Sequence, residues 1–136
     1  MPKMFVHSRQ GAFSDEARAE VAAALTDLGI DCERLAKTEQ IRKGVWVIFS
    51  EHAPSSVFSG GKVASDSNTA VIAYTLQGGL DDDAKQRLIV GATSIINRHI
   101  QSTDGQAPVY VGIIEVPESN WGMYGKRVSL AAMRGE

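Results

Sequence analysis

The sequence is short of most things that would commit it early to one chemistry. A single cysteine, Cys32, in 136 residues leaves no partner for an intramolecular disulfide and fits a reducing compartment. Three histidines, His7, His52 and His99, share no metal-ligand spacing with one another or with Cys32, so no metal is expected. No run approaches the ~18 apolar residues that a membrane helix needs. The opening stretch Met1–His7 is too polar and too short in its apolar part for a secretory signal. The expectation is a cytoplasmic chain without a membrane partner. Fourteen Lys and Arg against sixteen Asp and Glu, a net charge of −2, give no electrostatic footprint for nucleic acid. The basic pair Arg42 and Lys43 reads as a solvated turn. Aromatic residues make up only 7%, and no low-complexity tract suggests a disordered binding segment.

Two tempting motifs also fail. Gly60-Gly61-Lys62 is not a phosphate loop, because Ser56 stands where the leading glycine belongs and Val63 follows the lysine without a hydroxyl for magnesium. No Ser/His/Asp constellation can be read from the order of residues. No cofactor is implied.

What is present is an ordinary globular composition, 43% hydrophobic and 22% charged, in a length that suits one domain with its own core. Lys3 to Gln10 reads as a strand, with β-branched and aromatic residues and no breaker before Gly11. Ser14 followed by Asp15 and Glu16 starts a helix, with a hydroxyl cap and acids at the positive end of the dipole. Val21, Leu25 and Leu28 carry the helical spacing, and Gly29 reads as its left-handed stop. Gly44 to Ser50 is an almost continuous apolar run, as in a strand covered on both faces.

The second half repeats this order. Thr69 to Leu76 is a strand, Gly78-Gly79 a turn, and Asp81, Asp82 and Asp83 open a helix whose stripe includes Leu88, Ala92, Ile95 and Ile96. Val109 to Val116 is the closing strand. The tails that follow the second strand of each half are related. Pro54 to Lys62 parallels Pro117 to Lys126 with one residue inserted, so strand, helix, strand and tail recur at about 65 residues, the mark of an internal duplication. The expected organisation is one domain of two pseudo-repeats, about 2–62 and 68–126, with a short C-terminal tail.

The order β-α-β-β-α-β also fits a ferredoxin-like or RNA-recognition domain. The link from Glu51 to Asn68 is too long for a hairpin loop of ~2–5 residues, and Val109 to Ile114 lacks the aromatic and basic signature of an RNA-recognition strand. A duplicated unit of this kind has helices on one face of its sheet only. The strands Val45 to Phe49 and Val71 to Tyr74 barely alternate, so the other face is apolar too, and sheet-to-sheet oligomerisation would cover it.

The proline after the initiator, the duplicated unit, Val57-Phe58-Ser59-Gly60-Gly61 and Asn120-Trp121-Gly122 together resemble the tautomerase superfamily. The two-repeat length looks most like the cis-3-chloroacrylic acid dehalogenase group, which are homotrimers. The resemblance implies an α/β (α+β) fold of two tandem β-α-β repeats, a four-stranded mixed sheet with two helices on one face, and a homotrimer acting on a small molecule without a cofactor. It also implies a catalytic Pro2. Removing Met1 would expose a secondary amine; an α-amino group titrates near ~7.7–8.0, and apolar burial pushes it toward neutrality. Such an amine can carry a proton between the positions of an enol or act as a nucleophile.

The residues that the dehalogenase group uses are replaced. Two arginines after the third strand meet Gln77 and Leu80. A histidine near the end of the first helix meets Gly29, a tyrosine on the last strand meets Gly112, and a water-activating glutamate meets Met123. These losses argue against hydrolytic dehalogenation, and against hydratase or decarboxylase variants. In the 4-oxalocrotonate tautomerase pattern an early arginine meets Ala12 or Phe13. A second-strand arginine meets Trp46 and Tyr110, and an aromatic tail position meets Val57 and Trp121. The resemblance therefore points to an apolar, aromatic pocket around Pro2, suited to an aryl enol or 2-oxo acid. Arg9, Trp46, Tyr74, Gln77, Tyr110 and Trp121 are the expected substrate contacts. The alternative is a catalytically silent trimer that keeps the scaffold for binding or structure.

Overall fold

A computed structural model describes residues 1–102 and 105–136. Strand β1 (Lys3–Arg9) leads through Gly11 into helix α1 (Asp15–Glu33). The Ser14 side chain accepts from the Ala17 amide at 3.0 Å and caps the helix. A short helix α2 (Glu39–Lys43) precedes strand β2 (Trp46–His52). A 3₁₀ turn at Pro54–Ser56 then opens the small hairpin β3 (Phe58–Ser59) and β4 (Lys62–Val63). The second half runs β5 (Thr69–Leu76), α3 (Asp82–His99) and β6 (Val109–Val116), with Asp81 capping α3 through the Ala84 amide at 2.8 Å. A 3₁₀ turn at Glu118–Asn120, the hairpin β7 (Gly122–Met123) and β8 (Lys126–Arg127), and helix α4 (Leu130–Met133) complete the chain.

The main sheet is mixed, in the order β2-β1-β5-β6. Strands β1 and β2 are parallel, as are β5 and β6, while β1 meets β5 antiparallel with Lys3 opposite Tyr74 and His7 opposite Ala70. Helices α1 and α3 pack against each other over one face. Met4, Val6 and Ser8 from β1, and Val71, Ala73 and Thr75 from β5, are buried there with Val21, Leu25, Leu88 and Ile96. The alternate residues Phe5, His7, Trp46, Ile48, Ile72 and Tyr74 face the other way, and no element of the described chain lies over them. Trp46 is 48% exposed, Ile48 41% and Tyr110 63%. This corrects the reading of residues 44–50 as a strand covered on both faces: β2 is an edge strand, apolar on its open side without being covered there.

Helix α1 does not stop at Gly29. It runs one turn further and ends at Arg34, which takes the left-handed conformation at φ 55°. Gly29 instead serves packing: a β-carbon there would lie 2.9 Å from Cγ of Pro2 and 2.8 Å from Cε of Met4. Arg42 and Lys43 form the last turn of α2 rather than a free turn. The two tails match without an inserted residue. The turns Gly60-Gly61 (φ 61° and 82°) and Tyr124-Gly125 (φ 53° and 77°) are equivalent when Val57 is set on Trp121. The prolines are offset by one instead, Pro54 lying inside its 3₁₀ turn and Pro117 just before its own.

Among the described residues no helix is long and apolar enough to cross a membrane. None of their His, Cys, Asp and Glu side chains cluster in threes as a metal site would need.

Candidate active site

One end of the sheet gathers the start of β1, the start of β2, the end of β5 and the C-terminal helix. Pro2 sits there fully buried, its ring against Gly29 of α1. Met1 lies over it, 8% exposed. The Met1 thioether fills the space where a Gly44 side chain would be: a β-carbon on Gly44 would fall 1.8 Å from Sδ. The Met1 amine donates to the Met133 sulfur at 3.0 Å. Burial pushes that amine from 8.0 down to about 6, against the pull of the Glu33 carboxylate.

Glu33, in the last turn of α1, is 1% exposed, and neither carboxylate oxygen finds a hydrogen-bond partner among the described residues. Burial raises its pKa; the Met1 amine, Arg134 and Lys3 oppose that. Burial thus drives amine and carboxylate each toward the neutral form in the same apolar pocket. The Gly78-Gly79 turn lies against Glu33 so closely that a β-carbon on Gly79 would sit 2.7 Å from Oε2. Arg134, just past α4, donates to the carbonyls of Glu33 and Gly79, each at 3.0 Å, and the Ala36 amide donates to the carbonyl of Met133 at 3.0 Å. These bonds lash the C-terminus across the site.

Lys3 reaches over from the open face. Its Nζ donates to the Met1 carbonyl at 3.2 Å and to the Gly44 carbonyl. It also stands 5.1 Å from the Trp46 ring centre and 5.6 Å from that of Trp121, within cation–π range. Burial lowers its pKa from 10.5 to about 8, with Glu33 acting the other way. An open cleft of about 1100 Å³ begins at Met1, with Ile41, Gly44, Met123, Val128 and Met133 among its walls.

The residues expected from sequence divide by end of the sheet. Pro2, Trp46 and Trp121 share this end, Trp121 buried at 6% exposure. Tyr74 lies opposite Lys3 on β5, its ring edge-on to Phe5 at 5.7 Å. Gln77 follows β5 and is exposed, its amide bonded to the Val116 carbonyl at 2.8 Å. Arg9 and Tyr110 lie at the opposite end: Arg9 donates to the Asp66 carbonyl at 3.3 Å, and Tyr110 pairs with Ala70. Sequence reasoning passed over Lys3, Glu33 and Arg134. Glu33 did leave a signal, since Val21, Leu25, Gly29 and Glu33 form one i, i+4 file on the buried face of α1.

Comparison with known proteins bears on the fold. A family model described as Tautomerase enzyme matches residues 71–131. No curated protein matches the sequence. A solved structure of a member of the cis-3-chloroacrylic acid dehalogenase family is 27% identical. It covers 93% of this chain and 83% of its own, with a TM-score of 0.75. A wild-type fused 4-OT solved as a symmetric trimer is 22% identical over 98% of this chain and 99% of that one, with a TM-score of 0.76. A malonate semialdehyde decarboxylase inhibited by 3-bromopropiolate is 20% identical over 97% of this chain and 95% of its own, with a TM-score of 0.66. Residues 71–131 thus match the tautomerase family, and the chain as a whole has the tautomerase-like fold of these solved structures.

Proposed function

We propose that the protein is a cofactor-free tautomerase in which the nitrogen of Pro2, freed by loss of Met1, moves a proton between the enol and keto forms of a small 2-oxo acid. The observation that carries this reading is the position of Met1 as a stopper. It lines the cleft, which Pro2 does not, and burial already brings its amine from 8.0 down to about 6. Removing Met1 hands that environment to the Pro2 amine, one residue deeper, and extends the cleft to it. A secondary amine held near neutrality by burial is mostly unprotonated at pH 7 and can take a proton from an enol hydroxyl and return it to carbon. Glu33 opposes the burial effect and keeps the amine basic enough to hold that proton in passing. Trp46, Trp121 and Tyr74 suit the aryl part of a substrate, and Arg134 is the fixed guanidinium nearest Glu33 at this end.

The same reading takes the open sheet face as the contact between copies in a homotrimer. Its exposed Trp46, Ile48, Tyr110 and Ile114 resemble a core surface left uncovered. Arg9 and Tyr110, remote from Pro2 in their own chain, would then serve the Pro2 site of a neighbour.

The test is ketonisation of phenylenolpyruvate by untagged protein, with intact mass measured on the same sample. The expectation is a mass lacking Met1 and turnover that Pro2→Ala abolishes. Full activity in Pro2→Ala, or native protein that retains Met1, would overturn it. Retention of Met1 together with no turnover would favour the second reading, a silent trimer used for binding or structure, which the buried Met1 side chain already suits.

A further inference from the structure

The Pro2 end holds buried polar atoms that the described residues leave unbonded, both Glu33 oxygens and the Trp121 indole nitrogen among them. A carboxyl kept dry in this way is costly, so its place calls for a reason. The seat is shaped for it. Gly79 is bare where a β-carbon would come 2.7 Å from Oε2. Arg134 lies close enough to bond the main-chain carbonyl of Glu33, yet it gives its other bond to the Gly79 carbonyl and none to the carboxyl. These walls are α1, the Gly78-Gly79 turn and the tail after α4. None belongs to the open sheet face, so copies seated on that face do not fill the site.

Met1 marks where a substrate would react. Its amine stands three bonds from the Pro2 nitrogen, within about 3–4 Å by backbone dimensions. Of the charges that act on Glu33, that amine acts most strongly, ahead of Arg134 and Lys3. A small molecule in the place of the amine therefore lies beside the Pro2 nitrogen with the Glu33 carboxyl close by.

We propose that Glu33 is a second catalytic residue, whose carboxyl gives a proton to the enol carbon while the Pro2 nitrogen takes one from the enol hydroxyl. This rests on the reading of Pro2 as a free amine. In the step, the Pro2 lone pair bonds the hydroxyl proton, and the O–H electrons become the C=O π bond. The C=C π electrons take the carboxyl proton onto carbon. One enol gives one ketone, and the pair is left as prolinium and carboxylate. The proton then passes from nitrogen back to carboxylate, which resets both groups with no net change and no co-reactant. Burial favours that return because it disfavours both charges, raising the Glu33 pKa and lowering that of an amine placed here. The charged groups that face the carboxyl are the terminal amine, Arg134 and Lys3; all three pull its pKa down without overcoming burial. Burial pushes the neighbouring Cys32 thiol up, so it adds no charge. Two proton stations suit a nitrogen that cannot swing. The Pro2 ring is wedged against Gly29, and an enol loses its proton at oxygen but gains one at carbon, two bonds away.

The experiment is phenylenolpyruvate ketonisation from about pH 5 to pH 9 by protein whose mass shows loss of Met1. Wild type is compared with Glu33→Gln, and Pro2→Ala reports the dependence on the amine. The expected wild-type profile of kcat/KM is a bell, since the pair must hold one proton, no more and no fewer. Glu33→Gln keeps the shape of the side chain but carries no acidic proton. Its kcat and kcat/KM should fall together by about 10²-fold or more, and the alkaline fall should vanish from what activity remains. A glutamate that only supports the fold would leave that limb in place. Pro2-dependent turnover in which Glu33→Gln keeps the wild-type rate or the wild-type bell overturns this inference and leaves the reading of Pro2 standing. Turnover that does not depend on Pro2, or none at all, overturns both. If Glu33→Gln does not fold, the wild-type profile decides alone: a single acid limb rising to a plateau overturns the role of Glu33.

Discussion

Gly44→Ala turns the place of Met1 into a stability measurement with a predicted sign. Gly44 ends α2 at φ −81° and ψ −10°, a backbone that alanine adopts without strain. The three atoms nearest its would-be β-carbon all belong to Met1: Sδ at 1.8 Å, Cε at 2.9 Å and Cγ at 3.0 Å. With Met1 present, the added methyl must drive the thioether from its buried seat. Full burial of a methionine side chain is worth about 1.5–3 kcal/mol, so that form should lose an amount of this order. With Met1 absent the obstacle is gone. Replacing glycine by alanine then stiffens the unfolded chain and stabilises the fold by about 0.4–1 kcal/mol. The assay is urea unfolding of both variants, each prepared with Met1 retained and after trimming by methionine aminopeptidase, with intact mass confirming each sample. For an m-value of about 1–3 kcal/mol per M, the two effects separate the midpoints clearly and in opposite directions. The same shift in both forms would refute the placement of Met1 against Gly44.

Glu33→Gln should change the pH dependence of stability. The folded pKa of Glu33 is raised, so above the unfolded value of about 4.3 the native state holds a proton that the unfolded chain has released. Its contribution to stability is full below that value and falls as pH rises through the folded pKa. Urea midpoints from about pH 4 to pH 7 should therefore be flatter in Glu33→Gln than in wild type, and an identical slope would count against a buried carboxyl. Arg134→Ala removes two charge-assisted bonds to carbonyls and should cost about 1.5–3 kcal/mol. It should also speed exchange of the Ala36 amide, which the lashed C-terminus protects; unchanged exchange would mean that Arg134 does not hold the tail. Tyr124→Gly relieves a left-handed residue at φ 53° that is 92% exposed. It should stabilise the isolated chain by about 1 kcal/mol in thermal unfolding, and a loss would show that the Tyr124 ring makes a contact worth more than that strain.

The elements were legible because their signals are local. Ser14 and Asp81 mark helix starts by side-chain chemistry that acts within one turn, and the β-branched and aromatic residues of β1, β5 and β6 need no distant partner to be recognised. The end of α1 was not legible, since a glycine in a helix looks the same whether it stops the chain or admits a neighbour. Only the approach of Pro2 from another element decides it at Gly29. The same misreading hid Glu33, which lies one turn beyond the supposed stop. The site was harder still, because Lys3, Glu33 and Arg134 meet only after more than a hundred residues of chain have folded. The repeat itself misled in an instructive way. Duplication makes Trp46 and Tyr110 equivalent, as it does Val57 and Trp121, which invites placing all of them around one proline. Strands β1 and β5 run antiparallel, so equivalent residues are carried to opposite ends of the sheet: Trp46 beside Lys3, Tyr110 beside Ala70. The Pro2 end takes the starts of β1 and β2 from the first half and the end of β5 with Trp121 and Arg134 from the second. Thr69, the first residue of β5 and equivalent by register to Pro2 just before β1, has an ordinary amide bonded to the Pro108 carbonyl at 3.0 Å and offers no amine. On the proposed reading, the reacting amine is therefore the one at the Pro2 end. Residues at the other end can take part only if a second copy brings its own Pro2 to them.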